Sequence, residues 1–237
     1  MKQIYFLFFL VIIVNSCLNS NKKNSEDKLI KELDQGEKNA IEYKKRINNG
    51  ITNYNTWNYN KLIEEASFIT SSAADSTFLC VALKYINKAI FIDNNKLEAF
   101  NIKFQILCEL GEYKNAIVVL RKIISLRKYN EQTFLIQGLL YEKMGINDSA
   151  QLMYQKSFDA VNKELKLSPT INDQIYRAII MNFIYGNEAA KKEIEDIIIK
   201  NPQNIYAKRI QERVINNFDR KKFIEENIPT IGVTKLE

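Results

Sequence analysis

Few residues in this chain could do chemistry: cysteines at 17, 80 and 108, one tryptophan at 57, and the acidic doublets Glu64-Glu65 and Glu225-Glu226. Histidine is absent, so no imidazole serves as general base, zinc ligand or triad member. No GxGxxG, Walker loop, CxxC, HExxH or nucleophile-elbow pattern occurs, and 7 glycines in 237 residues are too few for phosphate-cradling loops. Both doublets lie in helical stretches beside lysine, where charge pairing on a wet face explains them better than proton transfer. Cys80 and Cys108 fall inside predicted helices and suit buried apolar positions better than a disulfide framework. These residues point away from catalysis, and neither a metal nor a small-molecule cofactor is expected.

Binding is a different matter. Tyr54-Asn55-Thr56-Trp57-Asn58-Tyr59 is aromatic-rich and would stack on a sugar or a peptide. The preferred reading is that Trp57 packs an N-terminal helix onto the first hairpin, which leaves a glycan-binding protein or enzyme built on this loop as the least favoured function. The net charge of +6 comes from 34 cations against 28 anions, a mild excess that fits a solvated surface and no nucleic-acid partner. The basic runs Lys44-Lys45-Arg46 and Arg220-Lys221-Lys222 are either solvated or available to anionic headgroups.

The N-terminus concerns location. Met-Lys-Gln precedes an unbroken apolar run from Ile4 to Val14, the layout of a secretory signal and too short to span a bilayer. Val14-Asn15-Ser16-Cys17 resembles a bacterial lipobox, with Asn15 as its unusual member. That resemblance implies cleavage before Cys17, acylation of its thiol and amine, and a membrane-tethered mature protein. Residues 17–28 are polar enough for a flexible tether. Leu18, with no Asp after the cysteine, resembles lipoproteins sent to the outer membrane.

The body of the chain is periodic. A shift of 34 residues superposes Ala82 on Ala116, Ala116 on Ala150, Phe100 on Phe134 and Gly111 on Gly145. Within a period, one amphipathic stretch ends at glycine and a second follows after a short turn. The alanines and Gly138 are small where antiparallel helices approach, while Leu107, Leu120, Tyr141 and Tyr154 supply bulk between them. LGEYKNAIVVLRKIISL and MGINDSAQLMYQKSFDA resemble the turn and second helix of the tetratricopeptide repeat (TPR) family. Asn94 and Lys128 stand where many repeats carry Pro, Phe104 where a small residue is usual, and Ile123 and Ser157 in place of a common Ala. The next packing alanine, Ala190, lies 40 residues beyond Ala150, so the second helix of the third unit should be elongated, ending near Ser168-Pro169.

The expected fold is therefore all-α: about four antiparallel hairpins in a TPR-like superhelical solenoid, plus a capping helix. The boundaries are a leader at 1–16, a tether at 17–28, an N-terminal helix (about Asp27 to Ile47) and aromatic loop at 29–59, the array at 60–217 with NIYAKRIQERVINNF as its single capping helix, and a short helix at 218–237 whose tail is loose from Ile228 onward. In TPR proteins the first helices line a concave groove, and the resemblance carries that role to Glu98, Asn101, Gln105 and Cys108, then Gln132, Leu135, Leu139 and Glu142. Clamps for C-terminal carboxylates need Lys, Asn and Arg where this chain has Asn101, Ile102, Gln105, Leu135, Ile136 and Leu139, which disfavours that ligand. A mixed groove suits a peptide or helix of another cell-envelope protein, with Leu135 and Leu139 as apolar anchors. The alternative is a stoichiometric subunit of an outer-membrane assembly or secretion complex, resembled in architecture alone.

Overall fold

The computed structural model describes residues 45–48, 50–72, 76–127 and 131–228. The leader, Cys17, the tether, most of the helix expected from Asp27 to Ile47 and everything past Ile228 lie outside these. Among the described residues all regular structure is helical, and the fold is TPR-like, built from consecutive helices in hairpins. They form two compact units, one running up to Gly111 and one from Glu112 to Ile228.

The first unit holds α1 (Tyr59–Ser72), α2 (Ser76–Ile92) and α3 (Leu97–Glu109). α1 starts where Asn58 Oδ1 accepts the Lys61 amide at 3.0 Å, satisfying one of the free N–H groups of the first turn. Leu62, Ala66 and Ile69 on α1 meet Leu79, Ala82, Ile86 and Ala89 on α2, both sets at helical spacing and all buried. α3 closes this core with Ala99 and Ile106. A helical stretch at 45–48 and 50–53, extending past the expected end at Ile47, lies against it through Ile47. Gly50 faces Tyr85 so closely that a Cβ would sit 2.0 Å from the phenol oxygen.

The second unit holds α4 (Tyr113–Arg127), α5 (Glu131–Lys143), α6 (Asn147–Leu167), α7 (Ile171–Ile184), α8 (Asn187–Lys200), α9 (Ile205–Ile210) and α10 (Arg220–Asn227). α5 ends at Gly145, whose φ of 74° is left-handed and favours glycine. There the Ile146 amide donates to Tyr141 O and the Gly145 amide to Glu142 O, both at 2.9 Å, the paired bonds that close a helix C-terminus. Ala116, Ala150 and Ala190 are all buried. At Gly138 an added Cβ would stand 2.3 Å from the Tyr154 ring, so α5 and α6 can touch only with hydrogen there.

The change of period shows itself in α6. Its 21 residues make it about 31 Å long at 1.5 Å per residue, against 13 residues in α5. Contacts fix the register: Gly138 meets Tyr154 on one side, while Phe183 stacks on Tyr154 and Arg177 reaches Asn162 on the other. α7 therefore runs along the C-terminal two thirds of α6 and stops at Tyr154. The first turns of α6 extend past it and leave a step beside the end of α5.

The single helix expected over NIYAKRIQERVINNF is instead α9 followed by a π turn at Gln211–Ile215, closed by the Asn216 amide on Gln211 O at 2.8 Å. The wider turn lets consecutive Val214 and Ile215 both face inward, where each is buried, and Asn187 Nδ2 donates to Ile215 O at 2.6 Å. Ile228, expected to begin the loose tail, is buried as well.

Ala116 and Gly138 test this packing. Ala116→Leu and Gly138→Ala should each lower stability by about 1–3 kcal/mol through overpacking, read as a lower urea midpoint with unchanged slope. A stability equal to the parent's in both variants would show that the 34-residue register is misplaced.

Candidate interaction surfaces

On α3, Glu98, Asn101 and Gln105 recur at i, i+3 and i+7 and so share one stripe. Glu98 and Gln105 are exposed and Asn101 is half-buried. Gln105 Nε2 donates to Glu109 Oε1 at 2.8 Å. Glu109 itself is buried, and burial pushes its carboxyl up against the opposing pull of the Gln105 hydrogen bond. Cys108 is buried too and is not part of the reachable stripe. Cys80, by contrast, is exposed rather than buried.

On α5 the expected groove residues part ways. Gln132 is half-buried, but Leu135 and Leu139 are only 7% and 2% exposed. They are core side chains, not anchors awaiting a partner. α5 packs on both α4 and α6, and Thr133, Ile136, Gln137 and Leu140 are buried with them. A helix enclosed on most of its circumference has little face left for a ligand.

Glu142, the last of the expected groove positions, is already engaged. Arg220 Nε and Nη2 fork onto its carboxylate at 2.6 and 2.9 Å, and the Tyr154 hydroxyl donates to Oε2 at 2.6 Å. The third guanidinium nitrogen, Nη1, donates to Phe183 O at 3.3 Å, one of the carbonyls that the end of α7 leaves without a helical partner. The guanidinium lies over the rings of Phe183 and Tyr154. Phe218 and Phe223 each meet Phe183 edge-on with centroids 5.3 Å apart. Next door, Lys143 Nζ donates to Ile228 O at the far end of α10, a cation where the helix dipole favours one. Consecutive residues of α5 thus grip both ends of α10, which fills the step left by α7.

Burial alone would raise the Glu142 carboxyl, but the Arg220 and Tyr154 hydrogen bonds and the Arg220 charge outweigh it and hold it below its ordinary value. Burial, and then the same carboxylate, push the Tyr154 phenol well above its ordinary range. From sequence alone, Arg220 belongs to a basic run that is solvated or available to headgroups, and Tyr154 supplies bulk between helices. The pairing joins residues 78 positions apart, and no local pattern announces it.

The first unit has a smaller counterpart. Glu65, expected on a wet face, is 5% exposed. Arg46 Nε and Nη2 fork onto it at 3.1 and 2.9 Å, and Lys61 Nζ lies 2.8 Å from Oε1. Burial raises this carboxyl less than those two cations lower it. Arg46 also sits 3.7 Å over the Phe68 ring, so this member of the basic run is not available to headgroups. Trp57 is half-buried and meets Tyr85 edge-on at 5.4 Å, beside a phenol that burial pushes up to about 12. This is the packing role expected of it. Among the described residues no group of three or more His, Cys, Asp or Glu could hold a metal ion, and no helix is long and apolar enough to cross a membrane.

No family model matches the sequence, and no curated protein matches it. Among solved structures, the chain is similar to MamA at 17% identity, covering 66% of this chain and 76% of that one with a TM-score of 0.42. It is also similar to a tetratricopeptide repeat protein from Parabacteroides merdae, at 15% identity over 65% of this chain and 58% of the other, with a TM-score of 0.45. A third likeness is a thermophilic TPR protein of Thermus thermophilus, at 14% identity over 72% and 98% with a TM-score of 0.38. Similarity of this degree says nothing of a partner.

The Glu142 latch gives a signed pH dependence. A carboxyl held low in the folded state contributes stability above its ordinary pKa of 4.5 and loses it as pH falls through the folded value. Glu142→Gln should lower stability at neutral pH by about 1–2 kcal/mol, discounted for a partly exposed guanidinium. It should also flatten the acid limb of the stability curve below about pH 4.5. An acid limb identical to the parent's would mean that the latch does not hold α10 in solution.

Proposed function

We propose that this chain is a lipid-tethered, non-catalytic interaction module of the bacterial cell envelope, binding an extended peptide or a helix of another envelope protein. The observation that carries this reading is the stripe on α3. Glu98, Asn101 and Gln105 remain reachable on one helix face, beside Ala99 and Ile106, which α3 gives to the core of its unit. Two amides and a carboxylate at this spacing offer donors and acceptors for the backbone of an extended segment, and the carboxylate selects for a basic residue beside it.

Tethering fits such a task. An acyl anchor at Cys17 would hold the module at the membrane that its partner shares, and the raised effective concentration makes a modest affinity sufficient. The outer membrane is the proposed site, on the Leu18 resemblance.

Crosslinking in intact cells tests both halves. The acylated full chain should capture an envelope protein that is lost when Glu98→Lys, Asn101→Ala and Gln105→Ala are combined, with folding unchanged by circular dichroism. Cys17→Ser should move the chain from the membrane to the soluble fraction. Capture unaffected by the triple variant would remove the α3 stripe from the interface, and a Cys17→Ser chain still bound to membranes would remove the acyl anchor.

A further inference from the structure

The most exposed large hydrophobic side chains of the second unit are Ile199 at 75%, Leu167 at 71% and Ile205 at 65%. Lone exposed aliphatics are common on soluble proteins, but these three share a location. Leu167 is the last residue of α6, Ile199 is next to last in α8, and Ile205 is the first of α9. α6, α7 and α8 are joined by short connections and pack side by side, so they run antiparallel. The connections after α6 and after α8 therefore emerge at one end of the unit, opposite the Gly145 and Gly186 turns.

That end is also basic. Residues 163–171 and 199–209 carry Lys163, Lys166, Lys200, Lys208 and Arg209 against a single carboxylate, Glu164. All five cations are exposed, and none is in an ion pair among the described residues. Asp173 nearby is occupied in the cap of α7, where it accepts from Thr170 Oγ1 at 2.7 Å. Glu195 and Asp196 lie a turn back from the end.

We infer that this end of the second unit is a docking surface for an anionic lipid bilayer. Three aliphatic tips carried on separate connections suit a soft apolar medium that closes around each. A protein partner would instead call for a contiguous, shape-matched patch with a buried centre. Lysines flanking the tips can lay their stems along the acyl boundary and raise their ammonium groups to the headgroups. Anionic headgroups then supply the counter-charge that the protein itself does not. The contact is independent of acylation at Cys17 and of the α3 stripe, so it can fail while the proposed function stands, and the reverse.

The full chain carrying Ile199→Trp is placed with vesicles of dibrominated phosphatidylcholine, with and without an equal part of phosphatidylglycerol. Bromine on the acyl chains quenches tryptophan only within the bilayer. The unaltered chain corrects for Trp57. Quenching of the added tryptophan on the anionic vesicles, weakened by salt and lost when Lys166, Lys200 and Lys208 are changed to Glu, is the expected result, and Ile205→Trp should repeat it. The inference is overturned if the vesicle-bound chain shows no quenching at either position, or equal quenching on both vesicle types. It is equally overturned if a bound protein shields the tryptophan from aqueous iodide, for that would make this end a protein interface.

Discussion

Arg220 spends one guanidinium on two obligations that would otherwise stay open. Two of its nitrogens neutralise a carboxylate that α5 holds half out of water, and the third caps a carbonyl at the end of α7. Its face covers the aromatic cluster around Phe183. A bidentate pair of this kind is stronger than a neutral hydrogen bond and fixes direction as well as distance. An eight-residue helix is far too short to persist by its own hydrogen bonds. α10 exists because Glu142 and Lys143 hold its two ends and Ile224 and Ile228 are buried between them.

The reason such a latch is needed lies in α6. Close-packed helices cannot simply be lengthened without consequence, because each turn added to one must be met by a neighbour or left to water. The longer α6 slides α7 along by about two turns and opens a step at the end of α5. Water could fill it only by wetting Tyr154 and Phe183. The C-terminal segment fills it instead with Phe218, Phe223 and Arg220, and this draws Glu142 out of any open groove. The first unit solves a similar problem on a smaller scale: Arg46, held by Glu65 and lying on Phe68, fastens the N-terminal helical stretch over α1. In both places a charge that looks solvated in sequence serves as a fastener.

What remains for partners is correspondingly modest. The core uses up Leu135, Leu139 and Cys108, and amides, carboxylates and lysines share the exposed surface with scattered apolar side chains such as Phe91, Val118 and Leu152. Such a surface suits recognition of backbone and charge more than deep insertion of an apolar anchor. If both proposals hold, a polar stripe on one helix and a basic, apolar-tipped end of the other unit let one chain meet a protein and a membrane by different chemistries.

The sequence by itself determined the helices, their turns and the small residues between them. Gly145 follows from the left-handed turn it must make, Ala116, Ala150 and Ala190 from the space between neighbouring helices, and the length of α6 from the slip between Ala150 and Ala190. These are local or periodic constraints, and periodicity survives in a one-dimensional reading. Tertiary structure alone decided which polar residues are spent. Glu65, Glu142 and Arg220 look like surface charges because their partners lie 19 or 78 positions away, and Leu135 and Leu139 look like anchors because an amphipathic stripe does not reveal how many neighbours enclose it. Burial is set by what packs from outside the segment, and only the folded chain supplies that.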